Sequence, residues 1–328
     1  MHPFAYDRPA DLDAAIAAVA ADPAATFVAG GTELLNWMKD GIRQPSRLVD
    51  LGALPLAGID ETPDGGLRLG AMARMSDVAT DPTVLARYPV LAEALLAGAS
   101  PQVRNLATIG GNLLQRTRCP YFREATFPCN KREPGSGCAA RTGPHHLHAI
   151  FGASESCIAV YPSDLATALM ALDAVVVARG RSGVRRIPFD DLFLLPGETP
   201  DRETVLDHGE AIVAVELPAA PFAARSRYLK VRERASFAFA LVSVAAALDL
   251  DDGIIRSARV ALGSVAAKPW RAHEAEALLV GRPLDAETAA AAGKAAVAGA
   301  QPLPDTAYKV KLAERAVARV LGEIGGLE

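Results

Sequence analysis

Apolar positions recur at helical spacing soon after the N-terminus, at Leu12, Ile16 and Val19, and Asp11 stands where an N-cap belongs. The pattern predicts a helix closed by Asp22-Pro23. Residues 26–29 (TFVA) predict a short strand that stops at Gly30-Gly31-Thr32, and helical periodicity returns over 33–39. A second strand is expected over 47–51, and turn residues 60–66 precede Leu67-Arg68-Leu69. Further along, 88–98 reads as an amphipathic helix with Leu91, Leu95 and Leu96 on one side. The run 100–114 (SPQVRNLATIGGNLL) holds a second diglycine, read as another strand–loop.

Periodicity then fails from 115 to 156, where Arg, Pro, Gly, His and Cys dominate. It resumes with a helix over 163–172 and a strand over 174–178. An irregular stretch of roughly 40 residues is too long for an ordinary connection and needs a reason to be ordered. In the last third, 210–217, 228–232, 238–248 and 254–263 read as antiparallel strands, with a hairpin turn at Asp251-Asp252-Gly253. Helices are expected over 271–280, 285–297 and 306–323. The fold class is α+β.

Composition narrows the function classes. Half of the 328 residues are apolar and 22% charged, as in a soluble globular protein. Basic and acidic residues nearly balance, 34 against 38, so no excess exists to neutralise a nucleic-acid backbone. The most apolar run, 237–250, falls short of the roughly 20 residues a spanning helix needs, so no membrane insertion is expected. The N-terminus carries no signal-peptide pattern. The expectation is a chain folded in the cytoplasm, which stays there or reaches the periplasm with a signal-bearing partner.

Two groups of residues carry chemistry. Val28-Ala29-Gly30-Gly31-Thr32-Glu33 and Ala107-Thr108-Ile109-Gly110-Gly111-Asn112 are diglycine loops. Glycines there let backbone approach a phosphate and free successive N–H groups to face anionic oxygens. Neither loop is G-x-G-x-x-G or a P-loop. The second group is Cys119, Cys129, Cys138 and Cys157, the only cysteines, all on the irregular stretch or at its exit. Their spacing fits no zinc ribbon and no C-x-x-C redox motif. Four thiolates suit a structural zinc or a [4Fe–4S] cluster. Arg116, Arg118, Arg123, Lys131, Arg132 and Arg141 would offset the charge of such a cluster. His145, His146 and His148 read as surface or supporting groups.

These motifs resemble the FAD-binding medium subunits of the molybdenum hydroxylases, the xanthine dehydrogenase, carbon monoxide dehydrogenase and aldehyde oxidoreductase family, over essentially the whole chain. VAGGTELL (28–35) is similar to the family's first FAD loop, NLATIGGNL (105–113) to its second, YPSD (161–164) to a segment with an FAD-contacting aspartate, and YLKVRERASFAFA (228–240) to the start of its C-terminal domain. The stretch QRTRCPYF…PCNKREPGSGC…SESC resembles the periplasmic aldehyde oxidoreductase branch, whose medium subunits carry a [4Fe–4S] cluster on this insert. Hydroxybenzoyl-CoA reductase medium subunits have a comparable one.

The resemblance implies a PCMH-type FAD-binding domain over 1–222, in parts of about 1–55 and 56–222 with the cluster insert at 115–157, and a carbon monoxide dehydrogenase flavoprotein-type domain over 223–328. It implies FAD contacts from Val28, Ala29, Gly30, Gly31, Thr32, Glu33, Leu34, Leu35, Thr108, Gly110, Gly111, Asn112, Arg118, Asp164 and Lys230. Cys119, Cys129, Cys138 and Cys157 become cluster ligands. Glu33 departs from the Asn, Asp or Ser expected, and is tolerable beside phosphates only if it points away. Asp164 as a plain helix cap and Lys230 as a solvated strand residue are the bland rivals.

The implied role is electron transfer. A large molybdenum-cofactor subunit oxidises an aldehyde, a small [2Fe–2S] subunit relays electrons, and FAD here passes them to an external acceptor. A xanthine dehydrogenase-like complex, a self-sufficient FAD oxidase and a zinc-binding scaffold are the alternatives.

Overall fold

A computed structural model describes residues 1–327 and places them around three sheets. The first is parallel, with strands β1 (Ala5–Asp7), β2 (Ala25–Val28) and β3 (Arg47–Asp50), β3 lying in the middle. The helix expected after Asp11 runs Leu12–Ala20. Asp11 Oδ1 accepts the Ala14 N–H at 2.8 Å, and Ala15 and Val19 bury against Val49, Leu51 and Leu54.

The second sheet comprises β4 (Ile59–Glu61), β5 (Leu67–Gly70), β6 (Val175–Gly180), β7 (Gly183–Pro188) and β8 (Ala211–Leu217), antiparallel in the order β4-β5-β8-β6-β7. Here the structure corrects the sequence reading, which grouped 210–217 with the C-terminal strands. The run AIVAVEL is apolar on both faces, and a strand of that kind belongs at the centre of a covered sheet.

The third sheet is β9 (Ser226–Val231), β10 (Val242–Asp251), β11 (Ile254–Gly263) and β12 (Trp270–Arg271), antiparallel in sequence order. Its β10–β11 turn has positive φ at Asp252 and Gly253, 46° and 80°, which explains the Asp-Gly pair. Side chains alternate between two cores. Val244, Ala246, Val260 and Leu262 face the helices His273–Leu279, Ala286–Ala296 and Ala307–Gly325, whereas Ala245 and Ala261 join the central core with the helix Asp164–Ala171. Residues 238–241, expected in a strand, instead form a loop that exposes Phe237 and Phe239. The second diglycine is likewise not preceded by a strand. Thr108 makes one isolated bridge to Arg74 and caps the short helix Ile109–Leu113.

The irregular stretch contains two single turns, Pro120–Arg123 and Ala139–Arg141, and is ordered by polar ties. Arg132 donates to the carbonyls of Tyr121 and Phe122 at 3.0 and 2.8 Å, and Arg141 to that of Ser154 at 3.0 Å. Its exit is anchored in the C-terminal core. Ile150 N donates to Val265 O at 2.8 Å, and Phe151 stacks on Trp270 at 4.7 Å between centroids. Lys309, fully buried on the last helix, donates to the carbonyls of His148 and Ser264 at 2.9 and 2.6 Å. Burial pushes its ammonium down to about 7.

Candidate cofactor-binding site

A cavity of about 860 Å³ opens where the three sheets meet. That size is ordinary for a site enclosing a whole organic cofactor, about 300–1,000 Å³. Both diglycine loops line it, together with Asp164, Lys230, Arg118 and the 237–239 loop, residues distant in sequence. Of the expected contacts, Val28, Ala29, Gly30, Gly31, Thr32, Glu33, Leu34, Thr108, Gly111 and Asn112 are in the wall. Leu35 and Gly110 are not. Leu35 folds back over Gly31, and Gly110 is pressed on Ala71, where a Cβ would meet the Ala71 methyl at 2.9 Å.

The two loops are not equivalent. In the first, the N–H groups of Gly30, Gly31, Thr32, Glu33 and Leu34 have no backbone acceptor among the described residues. Such a run of free donors after a strand is a concave anion site. In the second, Ile109 N and Gly110 N donate to Ala73 O and Ala71 O, at 2.9 and 2.8 Å, and Gly111 N to Thr108 Oγ1 at 3.2 Å. That loop therefore offers shape and the side chains of Thr108 and Asn112 rather than backbone donors. Gly30 brings the loops together, for its Cα packs on the Leu106 carbonyl.

Glu33 turns its carboxylate away from the free N–H groups. It pairs with Arg118, at 2.6 Å from Oε1, and with Arg123, and accepts the Trp37 indole N–H at 2.9 Å. Two guanidinium groups thus balance the carboxylate beside the loop. Arg118 lies over the Phe239 ring at 4.8 Å, and its buried Nε has no hydrogen-bond partner. Burial pushes this guanidinium below its ordinary value, and Glu33 opposes the shift.

Asp164 and Lys230 are one unit. Their ion pair spans 2.7 Å with both side chains largely buried, Lys230 at 4% and Asp164 at 10% exposure, and the Tyr228 hydroxyl donates to Asp164 Oδ1. Burial beside that carboxylate holds the Tyr228 phenol well above its ordinary value. Ser163, not Asp164, caps the helix, its Oγ accepting Ala166 N at 3.0 Å, and Lys230 is not solvated. Tyr228 escaped sequence reasoning. Its position two residues before Lys230, on the same face of a strand, was the available signal. Removing one partner of a buried pair typically costs about 3–5 kcal/mol. Lys230→Met is therefore expected to lower the melting temperature by several degrees while Lys230→Arg lowers it less, which thermal denaturation checks.

Next to this cavity, Cys119, Cys129, Cys138 and Cys157 line a single second void with Thr117, Phe122, Lys131 and Ser156. Cys129 and Cys138 are held opposite each other by a backbone bridge, and His148 Nε2 lies 3.2 Å from Cys119 Sγ. Burial pushes the Cys119 thiol up to about 12 and raises that of Cys157. The void is about 10 Å³, room for a water. No three His, Cys, Asp or Glu side chains among the described residues converge as a single-ion site.

Of the six basic residues expected to offset a cluster, four share two acids and so keep a net positive charge, Arg141 pairs with Glu155, and Arg132 donates only to backbone carbonyls. Arg116 and Lys131 pair with Glu203, and Arg118 and Arg123 with Glu33. Glu203, unnoticed in the sequence, ties the cysteine segment to the cavity wall. An arginine-rich segment that must bury its cations needs acids from elsewhere in the chain, and that need was the clue.

The cleft lies between a parallel αβ lobe, an antiparallel sheet and a C-terminal sheet with helices, a two-domain arrangement around one cavity. The chain belongs to the family of FAD-binding medium subunits of the molybdenum hydroxylases: residues 2–220 match the FAD binding domain in molybdopterin dehydrogenase, and residues 227–324 match the CO dehydrogenase flavoprotein C-terminal domain. It is 48% identical over 324 residues to the aldehyde oxidoreductase FAD-binding subunit PaoB of Escherichia coli (strain K12), with 98% of each chain covered. Among solved structures, quinoline 2-oxidoreductase from Pseudomonas putida 86 matches with a TM-score of 0.77 at 28% identity, over 99% of this chain and 98% of that one. Carbon monoxide dehydrogenase from Hydrogenophaga pseudoflava matches with a TM-score of 0.76 at 30% identity, over 98% of each chain. The protein is thus an oxidoreductase subunit. No helix among the described residues is long and apolar enough to cross a membrane.

Proposed function

We propose that this chain is the FAD- and [4Fe–4S]-binding electron-transfer subunit of a molybdenum-dependent aldehyde oxidoreductase. A large molybdenum-cofactor subunit and a small [2Fe–2S] subunit are its partners, and an external acceptor takes the electrons. The observation that carries this reading is the adjacency of the two voids, one bearing a run of free backbone donors and the other bounded by every cysteine in the chain.

FAD, when bound, supplies exchange between one- and two-electron carriers. The chain supplies grip and electrostatics. Free N–H groups of residues 30–34 receive the diphosphate, and Thr108 and Asn112 border it. The Lys230–Asp164–Tyr228 unit is a neutral, rigid polar group in the wall, whose fixed dipoles would orient a bound ring system.

The cysteines suit a cluster by donor type, since four thiols with no carboxylate among them favour iron–sulfur or zinc. A cubane binds each thiolate at a different corner, so its ligands encircle a volume instead of meeting at one ion.

The test is the composition of the purified complex. About four irons with matching sulfide and one FAD per chain are expected, with aldehyde oxidation only when the large subunit is present. Zinc in place of iron, or turnover by this chain alone, overturns the reading.

A further inference from the structure

We propose that Glu33 is a positioning residue that couples the dinucleotide loop to the cysteine segment, so that flavin affinity depends on whether the cysteines are loaded. The inference rests on the functional reading above and extends it to regulation of the same site.

The geometry is continuous. Glu33 contributes its N–H to the run of free donors, while its carboxylate, 14% exposed, is gripped by Arg118 and Arg123. Arg118 immediately precedes Cys119, and Arg123 ends the one-turn helix that Cys119 begins. The first cysteine is therefore flanked on both sides by the two arginines that hold the loop. Arg123 is fixed in turn, its Nε donating to Thr117 O at 3.0 Å. Trp37 Nε1 holds the carboxylate from the loop's own helix. Any displacement of Cys119 on loading moves the arginines, and through them the acid whose backbone faces the flavin cavity.

Arg123 separates coupling from direct contact. It does not line the flavin cavity, so its effect on flavin has to travel through Glu33 or Arg118. Coupling is reciprocal by linkage, so bound FAD must also strengthen retention of whatever the cysteines hold.

The test titrates FAD into deflavinated full-length protein in its complex, comparing loaded protein with Cys129→Ser, in wild-type, Glu33→Gln and Arg123→Gln backgrounds. In the wild type, Cys129→Ser is expected to weaken FAD binding about tenfold, within the usual range of coupling between sites. In the Glu33→Gln and Arg123→Gln backgrounds the same cysteine change is expected to weaken it less than about threefold, because the tie is already cut. Arg123→Lys, which keeps a cation, restores most of the dependence. Should Glu33→Gln fail to fold, Arg123→Gln and Arg123→Lys carry the comparison alone.

An equal loss in all backgrounds, or none in the wild type, overturns the coupling while leaving the FAD and cluster assignments standing. Wild-type protein that lacks iron or does not take up FAD overturns both.

Discussion

Gly30→Ala is expected to yield protein with less than a tenth of the flavin of the wild type and a markedly lower melting temperature. The Cβ added there would lie 1.9 Å from the Leu106 carbonyl oxygen and 2.7 Å from its carbon. Both neighbours are backbone, so no side chain can rotate to make room. The first loop must move away from the second by more than an ångström, and overpacking of this kind costs about 1–3 kcal/mol or more. The same shift misaligns the free N–H groups of 30–34. Gly31→Ala is the informative comparison. Its φ of 69° makes any side chain strained, by about 1–2 kcal/mol, but the added Cβ meets only the Leu35 side chain, at 3.1 Å. A smaller flavin loss is expected there. Flavin-to-protein absorbance and thermal denaturation read both effects, and full flavin content in Gly30→Ala would show that the loops need not touch.

Cys129→Ser is expected to bleach the broad iron–sulfur absorption, bring iron well below half of the wild-type content, and make the 115–157 segment sensitive to proteolysis. Cys129 is buried, and its backbone is fixed by the Ser136 hydroxyl at 2.9 Å and by the bridge to Cys138. Serine fits this space without metal, so folding of the two large cores is not at stake. On the proposed function, the change removes one of four cluster ligands, and with it binding energy that would also order the segment. Flavin bands persist when FAD is in excess. Iron and sulfide determination decides the matter, and normal iron content in the variant removes Cys129 from the ligand set.

The local elements were legible wherever one face of an element dictates its sequence. The helix after Asp11 has its cap and its stripe, and the Asp252-Gly253 turn needs two positive φ values that Asp and Gly tolerate best. Residues 238–241 misled because Phe and Ala alternation resembles a strand whether or not a neighbouring strand exists to pair with it. Strand β8 misled for the opposite reason, since its apolar character specified burial without naming the sheet that buries it. At the site, the diglycine loops and the four cysteines announced themselves through residue types that few other roles require. The Glu33–Arg118–Arg123 tie, the Glu203 anchor and the Asp164–Lys230–Tyr228 unit did not, because each joins residues far apart in the chain.

By itself, then, the sequence determined most of the elements, the two chemical groups and the family, because caps, glycine turns and thiols act through local backbone geometry and intrinsic reactivity. Only the tertiary structure decided which diglycine loop keeps its N–H groups free, which cations hold the acid beside it, and which acids the basic residues of the insert share. Those outcomes depend on which partners reach each donor first, and that competition exists only once distant segments are packed together.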